Sequence, residues 1–382
     1  MKHNRKIIYL AGLLFFIPVA LTSYINSSFL ESNIGKYYVG FVYVIASVIS
    51  IVGLLKMPKI LNHLGNRFTI LIFALVSFFS LIVLAFIHNI SAVILAIIIF
   101  FISTNFIIAS LDIFVEDFSK SSNIGKFRGL YLMIVNFAWV FSQTISGSII
   151  TKSSFRGIYL FSAFFMLLTS LVFILFLRDF KDPKYLKVSI LKTIRSFINN
   201  KDLSKIYLVN LILKFFFAWM VIYTPIYLYE YISFDWKQIG FIFTIMLLPF
   251  VFLDFPLGKL SDKIGERKML MTGFLISILF TFIIPFIITT TVWIWAIILF
   301  GTRVGAATIE IMSESYFFKK VGEKNADEIS FFRNTYPLSY VIAPLVAIPV
   351  LFFVPSFKYL FFVLSAILLL GFFISLRLRD VK

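Results

Sequence analysis

Four ionisable side chains, Asp112, Lys214, Arg303 and Glu310, stand inside long apolar runs of a 382-residue chain, with the amides Asn105 and Asn210 in similar settings. A charge in hydrocarbon costs roughly 2.5–3.5 kcal/mol on insertion scales, so each such group needs a partner or a watery cavity. Cations and carboxylates gathered in a cavity bind a polar solute through charge-assisted hydrogen bonds or pass a proton along. The spacing is regular. Asn105, Asp112 and Glu116 match Arg303, Glu310 and Glu314 at a constant offset of 198 residues. Within each triple the steps are seven and then four, so three side chains share one helical face. Plainer readings stand beside this one. Lys214 can snorkel to an interface, Asp112 and Glu310 can pair with loop bases, and the amides, with Tyr24, Asn26 and Tyr223, can serve helix packing. Arg303 lies one heptad before Glu310, near the middle of its run and too deep to snorkel easily.

The elements that position these groups are membrane helices. Hydrophobic residues make up 60% of the chain and the mean hydropathy is +0.99, beyond the roughly half-apolar composition of soluble domains. Apolar runs fall near 7–30, 37–55, 68–87, 91–115, 129–150 and 157–177, then 206–229, 239–257, 269–288, 291–316, 334–353 and 358–376. These predict twelve spans, the first kinked at Pro18. Prolines 225, 337, 344 and 349 are further candidate kinks. Trp236, Trp293 and Trp295 fit an interfacial belt, while Trp139 and Trp219 lie deeper.

Charge distribution supports this topology. Of 35 Lys and Arg residues, only Lys36, Lys152, Arg156, Lys237 and Lys358 fall outside when the N-terminus is placed inside. Lys214 and Arg303 lie within spans, which leaves 28 on the cytoplasmic side. That asymmetry follows the positive-inside rule and explains the net charge of +17 by anionic headgroups, without nucleic acid. There are no cysteines and only three histidines, all at loops or span ends, so no metal or histidine acid–base cluster is expected in the membrane core. The polar stretch 179–205 carries Leu186, Ile190, Leu191, Ile194, Phe197 and Ile198 at helical spacing. This predicts an amphipathic helix on the inner membrane surface, with a flexible basic linker as the alternative.

One turn has a distinctive form. Gly258-Lys259-Leu260-Ser261-Asp262-Lys263-Ile264-Gly265-Glu266-Arg267-Lys268 reads G-x-x-x-D-K-x-G-x-R-K between two apolar runs. Two hundred residues earlier, Gly65 and Arg67 match Gly265 and Arg267, while Pro58 and Asn62 replace Gly258 and Asp262. The turn resembles the signature loop of the major facilitator superfamily, the twelve-helix secondary transporters. That resemblance implies an all-α integral membrane fold with two six-helix bundles, residues 1–178 and 206–382, and both termini cytoplasmic. Residues 179–205 form the linker.

The resemblance further implies that spans 1, 4, 7 and 10 line a cavity, so Asp112, Lys214, Arg303 and Glu310 are read as a network for substrate or proton, with Asn105 and Asn210 as further polar candidates. It places Gly258, Asp262, Lys263, Gly265 and Arg267 in a cytoplasmic gate. Asp262 would face the start of span 5 near Arg128, and Arg267 would meet an acid such as Glu116. The expected partners are a small organic solute, protons or another coupling ion, and membrane lipids, with no cofactor and a monomeric state in a cell membrane. The G-x-x-x-G-P run of many antiporters is missing from Val140–Gly147. A lipid-handling or sensing relative is the rival reading. A membrane enzyme is disfavoured because no catalytic cluster is visible.

Overall fold

The computed structural model describes residues 2–118, 124–176, 190–253, 256–257, 260, 264–321, 326–354 and 356–379. Among these residues all regular structure is helical. The chain divides into two compact units, Met1–Lys187 with Asp235–Gly240, and Val188–Phe234 with Phe241–Lys382. Ten helical stretches among the described residues are long and apolar enough to cross a membrane, and Trp236–Phe252 is a shorter apolar one. The chain is therefore a multi-pass membrane protein. Side chains such as Phe79, Phe353 and Ile288 stand exposed, as lipid-facing positions require.

The first unit contains α1 (Lys2–Ser23), α2 (Asn26–Ile34), α3 (Lys36–Leu55), α4 (Met57–Leu64), α5 (Asn66–Phe86), α6 (Ile90–Phe118) and α7 (Ile124–Phe176). Pro18, the expected kink, lies inside α1, and the helix ends six residues later in a turn at Tyr24–Ile25. There the Thr22 and Ser23 hydroxyls donate back to the carbonyls of Pro18 at 2.9 Å and Val19 at 2.6 Å, competing with the helical ladder. Buried Gln143 on α7 donates its amide to the Ala20 carbonyl at 2.7 Å, and Ser142 donates to Ile17 at 3.2 Å. A break inside hydrocarbon needs such replacement partners.

The expected spans 129–150 and 157–177 both lie in α7. Its apolar part, Leu130–Phe176, has 47 residues, about 70 Å at 1.5 Å per residue and more than twice a hydrocarbon core of about 30 Å. Ser154, at φ 55° and ψ −166°, interrupts it where the two expected spans divide.

The second unit contains α8 (Ile190–Asn199), α9 (Lys201–Ile226), most of α10 (Trp236–Leu247), α11 (Pro249–Phe252), α12 (Glu266–Ile283), α13 (Val292–Val321), α14 (Ala326–Arg333), α15 (Thr335–Phe353) and α16 (Tyr359–Leu376). Past Pro225 the end of α9 widens into a π-helical turn, Tyr227–Tyr231, a common response to a lost backbone donor. The amphipathic α8 packs inside this unit. Phe197 is buried against Tyr207, Phe317 and Phe331, whereas Ile198 is 69% exposed. Leu186 lies outside the described residues. The three tryptophans expected at an interface also divide. Trp293 is exposed, but Trp295 is buried and donates Nε1 to the Thr289 carbonyl at 2.8 Å.

The internal repeat is visible in the backbone. Gly65 (φ 78°, ψ 158°) and Gly265 (φ 90°, ψ 148°) each precede a helix, α5 and α12, in a region only glycine enters at ease. The next residue is buried in both copies, Asn66 in one and Glu266 in the other. Replacing Gly65 or Gly265 with Ala is expected to cost about 1–3 kcal/mol. Thermal unfolding of the detergent-solubilised variants checks this.

Candidate functional site

The site grows from the way α13 packs. Gly301 and Gly305 sit one turn apart on this helix, and both are closed in by α12. A Cβ on Gly305 would lie 2.5 Å from the Gly273 carbonyl oxygen and 2.6 Å from the Ser277 nitrogen. One on Gly301 would meet the Phe280 ring at 2.4 Å. Small residues four apart let membrane helices approach closely. Arg303 stands midway between them, so α-helical geometry turns it away from α12. It points instead toward α9. Its Cζ lies 5.0 Å from the Phe216 ring centroid and 5.5 Å from that of Phe217, with the side chain 1% exposed.

The Phe217 ring is shared between two cations. Lys214 Nζ lies 5.2 Å from its centroid and donates to Glu310 Oε1 at 2.5 Å. The Lys214 and Glu310 side chains are 13% and 31% exposed. A desolvated cation over an aromatic face is stabilised by up to about 2 kcal/mol. The Lys214–Glu310 pair is more enclosed than a surface bridge, so its coupling exceeds the usual 0–1 kcal/mol of exposed pairs. Two cations, one carboxylate and an aromatic ring thus meet on α9 and α13. This arrangement can hold an anionic group.

The other polar candidates are placed separately. Asn210 is buried and donates Nδ2 to Thr335 Oγ1 at 2.7 Å, a helix-packing contact between α9 and α15. Asn105 is buried on α6 and donates Nδ2 to the Phe101 carbonyl of its own helix at 2.9 Å. Asp112 is exposed on α6. Asn26 accepts from Tyr159 at 3.0 Å, and Trp219 is fully buried between Phe215 and Tyr223. The three most enclosed apolar stretches are Lys6–Ile34 at 61%, Lys201–Tyr231 at 67% and Val292–Val321 at 61%. The last two carry the charged cluster.

Of the gate residues, Gly258, Asp262 and Lys263 lie outside the described residues, as do the side chains of Glu116 on α6 and Arg128 on α7. Arg267 is half-buried in the first turn of α12. Around it, one end of the second unit is laced by ion pairs. Arg333 forms a bidentate pair with Glu314, and buried Glu266 pairs with Lys319. Asp202 lies 3.5 Å from Lys205 and 3.3 Å from Lys320. In the first unit, Arg67 donates to the Ile174 carbonyl near the end of α7 at 3.3 Å, where a cation suits the helix dipole. Sequence reasoning passed over Glu266 and Asp202. Both stand in the first turn of a helix, where an acid is favoured, and that position was the available signal.

The family model described as Major Facilitator Superfamily matches residues 8–237 and 215–382. The chain belongs to the major facilitator superfamily. A search of curated proteins returns no match. A double-mutant cycle of Lys214→Met and Glu310→Gln is expected to give a coupling of about 1–2 kcal/mol in thermal unfolding, above the exposed-pair range. Additive single effects would mean that the pair is not formed.

Proposed function

We propose that this superfamily member is a secondary active transporter that moves a small organic solute by alternating access and couples the movement to protons. The carrying observation is the 2.5 Å Lys214–Glu310 contact, with the Phe217 ring within 5.5 Å of both Lys214 and Arg303. Two cations, Lys214 and Arg303, face the Phe217 ring here, and we read the solute as carrying a negative group. That group takes Lys214 and Arg303, and Glu310 then holds a proton in place of the lysine. Substrate and proton therefore travel together, and neither charge crosses the hydrocarbon uncompensated. Asp112 and Asn105, at the repeat positions of Glu310 and Arg303, are the first-half contributors. Asn210 supports α9 through Thr335.

The reading takes the chain as twelve spans with both termini cytoplasmic. Counting Leu130–Phe176 as two crossings and adding Trp236–Phe252 to the other candidate stretches supports that number, and the Lys and Arg asymmetry supports the orientation. Residues 1–178 and 206–382 rock against one another around the site. On the cytoplasmic side, Gly258, Asp262, Lys263, Gly265 and Arg267 form the latch. The Glu314–Arg333 pair supports a gate role for Glu116, the repeat partner of Glu314, and Arg128 joins it at the start of span 5.

Reconstituted proteoliposomes test the coupling. Labelled organic anions, amino acids and sugars are offered with and without an imposed pH gradient. The expected result is gradient-driven accumulation of an anionic solute. Glu310→Gln should lower that accumulation by about tenfold or more, the scale of one lost charge-assisted contact, while solute exchange at equal pH persists. Gradient-driven accumulation that survives Glu310→Gln would remove Glu310 from the proton path.

A further inference from the structure

A second charged cavity, of about 610 Å³, lies at the end of the second unit where α9 begins and α16 has finished. Three elements build it. The last turn of α8 supplies Ser196 and Asn199, the first turn of α9 supplies Lys201, Asp202 and Lys205, and the segment after α16 supplies Arg379. Its walls are fixed from within. Asn200 caps α9 by accepting from the nitrogens of Asp202 and Leu203 at 3.1 and 3.3 Å, which sets the α8–α9 corner. The segment carrying Arg379 is tied down by Lys205 donating to the Arg377 carbonyl at 2.7 Å and Tyr316 donating to the Arg379 carbonyl at 2.9 Å.

Two features indicate the occupant. The first is charge. Asp202 is already taken up by Lys205 and Lys320. Lys201 and Arg379 are exposed and, among the described residues, make no ion pair. Two cations thus remain at the mouth of a cavity that also offers amide and hydroxyl donors, a set suited to a phosphate oxygen cluster. The second is depth. Lys201 opens the apolar stretch Lys201–Tyr231, and Leu376 closes the stretch Tyr359–Leu376, so the cavity sits where two spans leave hydrocarbon. Beside it, α8 presents Ile198 outward at 69% exposure. Phosphate chemistry above and apolar chains below are the two halves of a phospholipid.

We propose that this cavity binds the phosphate group of an anionic phospholipid, with Lys201 and Arg379 as its charge contacts, Asn199 as a hydrogen-bond donor beside Ser196, whose hydroxyl donates to Glu328 at 3.5 Å, and Ile198 against the acyl chains. The site lies outside the α9–α13 cluster and does not depend on the solute. It gives the α8–α9 corner a lipid anchor at the start of the helix that carries Lys214.

The test uses the full chain in phosphatidylcholine nanodiscs, with and without added phosphatidylglycerol, and reads retained lipid by native mass spectrometry and stability by thermal unfolding. Selective retention of phosphatidylglycerol, with a rise in unfolding temperature, is the expected result. In the double variant Lys201→Gln/Arg379→Gln that selectivity should fall by about tenfold or more, at roughly one surface-charge increment per side chain. Lys201→Arg should restore it in an Arg379-containing background. Unfolding in pure phosphatidylcholine monitors the fold, because both residues are exposed. Equal retention of the two lipids, or a preference that survives the double variant, would overturn the proposal. Equal protection by inorganic phosphate without anionic lipid would assign the cavity to a soluble phosphate and overturn the lipid assignment.

Discussion

A charge taken into hydrocarbon has to bring its solvation with it, and the second unit is arranged around that requirement. Arg303 is 1% exposed, yet it lies over two phenylalanine rings. Lys214 is solvated from one side by Glu310 and from the other by the Phe217 face that Arg303 shares. Removing Glu310 leaves Lys214 without its carboxylate, and removing Lys214 leaves Glu310 without its cation.

The backbone serves this cluster at some distance from it. Gly301 and Gly305 let α13 close against α12, and the same packing aims Arg303 at α9. Glu266 with Lys319, and Glu314 with Arg333, fasten the far end of α13 to the start of α12 and the end of α14. In the first unit the corresponding polar work is different in kind. Asn66 donates to the Ser110 carbonyl where Glu266 finds a lysine, and Gln143 satisfies the broken first helix. The two halves keep the repeat's backbone, including the positive φ of Gly65 and Gly265, and differ in the charges mounted on it.

Much of this was legible before any coordinates. Apolar run lengths place nearly every helix, because hydrocarbon permits few alternatives. The 198-residue offset singles out Arg303 and Glu310, and the cost of an intramembrane charge marks Lys214. Other features were hidden because they depend on contacts that no local pattern encodes. The turn at Tyr24–Ile25 follows a helix whose Ala20 carbonyl accepts from Gln143, more than a hundred residues away. The inward turn of Trp295 depends on the Thr289 carbonyl, and the burial of Phe197 depends on rings of three other helices. The glycine pair behind Arg303 was present in the sequence as Gly301-Thr302-Arg303-Val304-Gly305. It becomes informative only once α12 is known to be the neighbour.

The most direct test of the α9–α13 cluster as the solute site is ligand-induced thermal stabilisation of the purified protein. The panel comprises organic anions, amino acids, sugars, peptides and cationic drugs, read beside Arg303→Ala and Glu310→Gln. A ligand at about 100 times its Kd stabilises by roughly 2.7 kcal/mol, well above detection. The account predicts that an anionic compound stabilises the parent protein and loses that effect in Arg303→Ala. Stabilisation of equal size in both variants would place the solute elsewhere and contradict it.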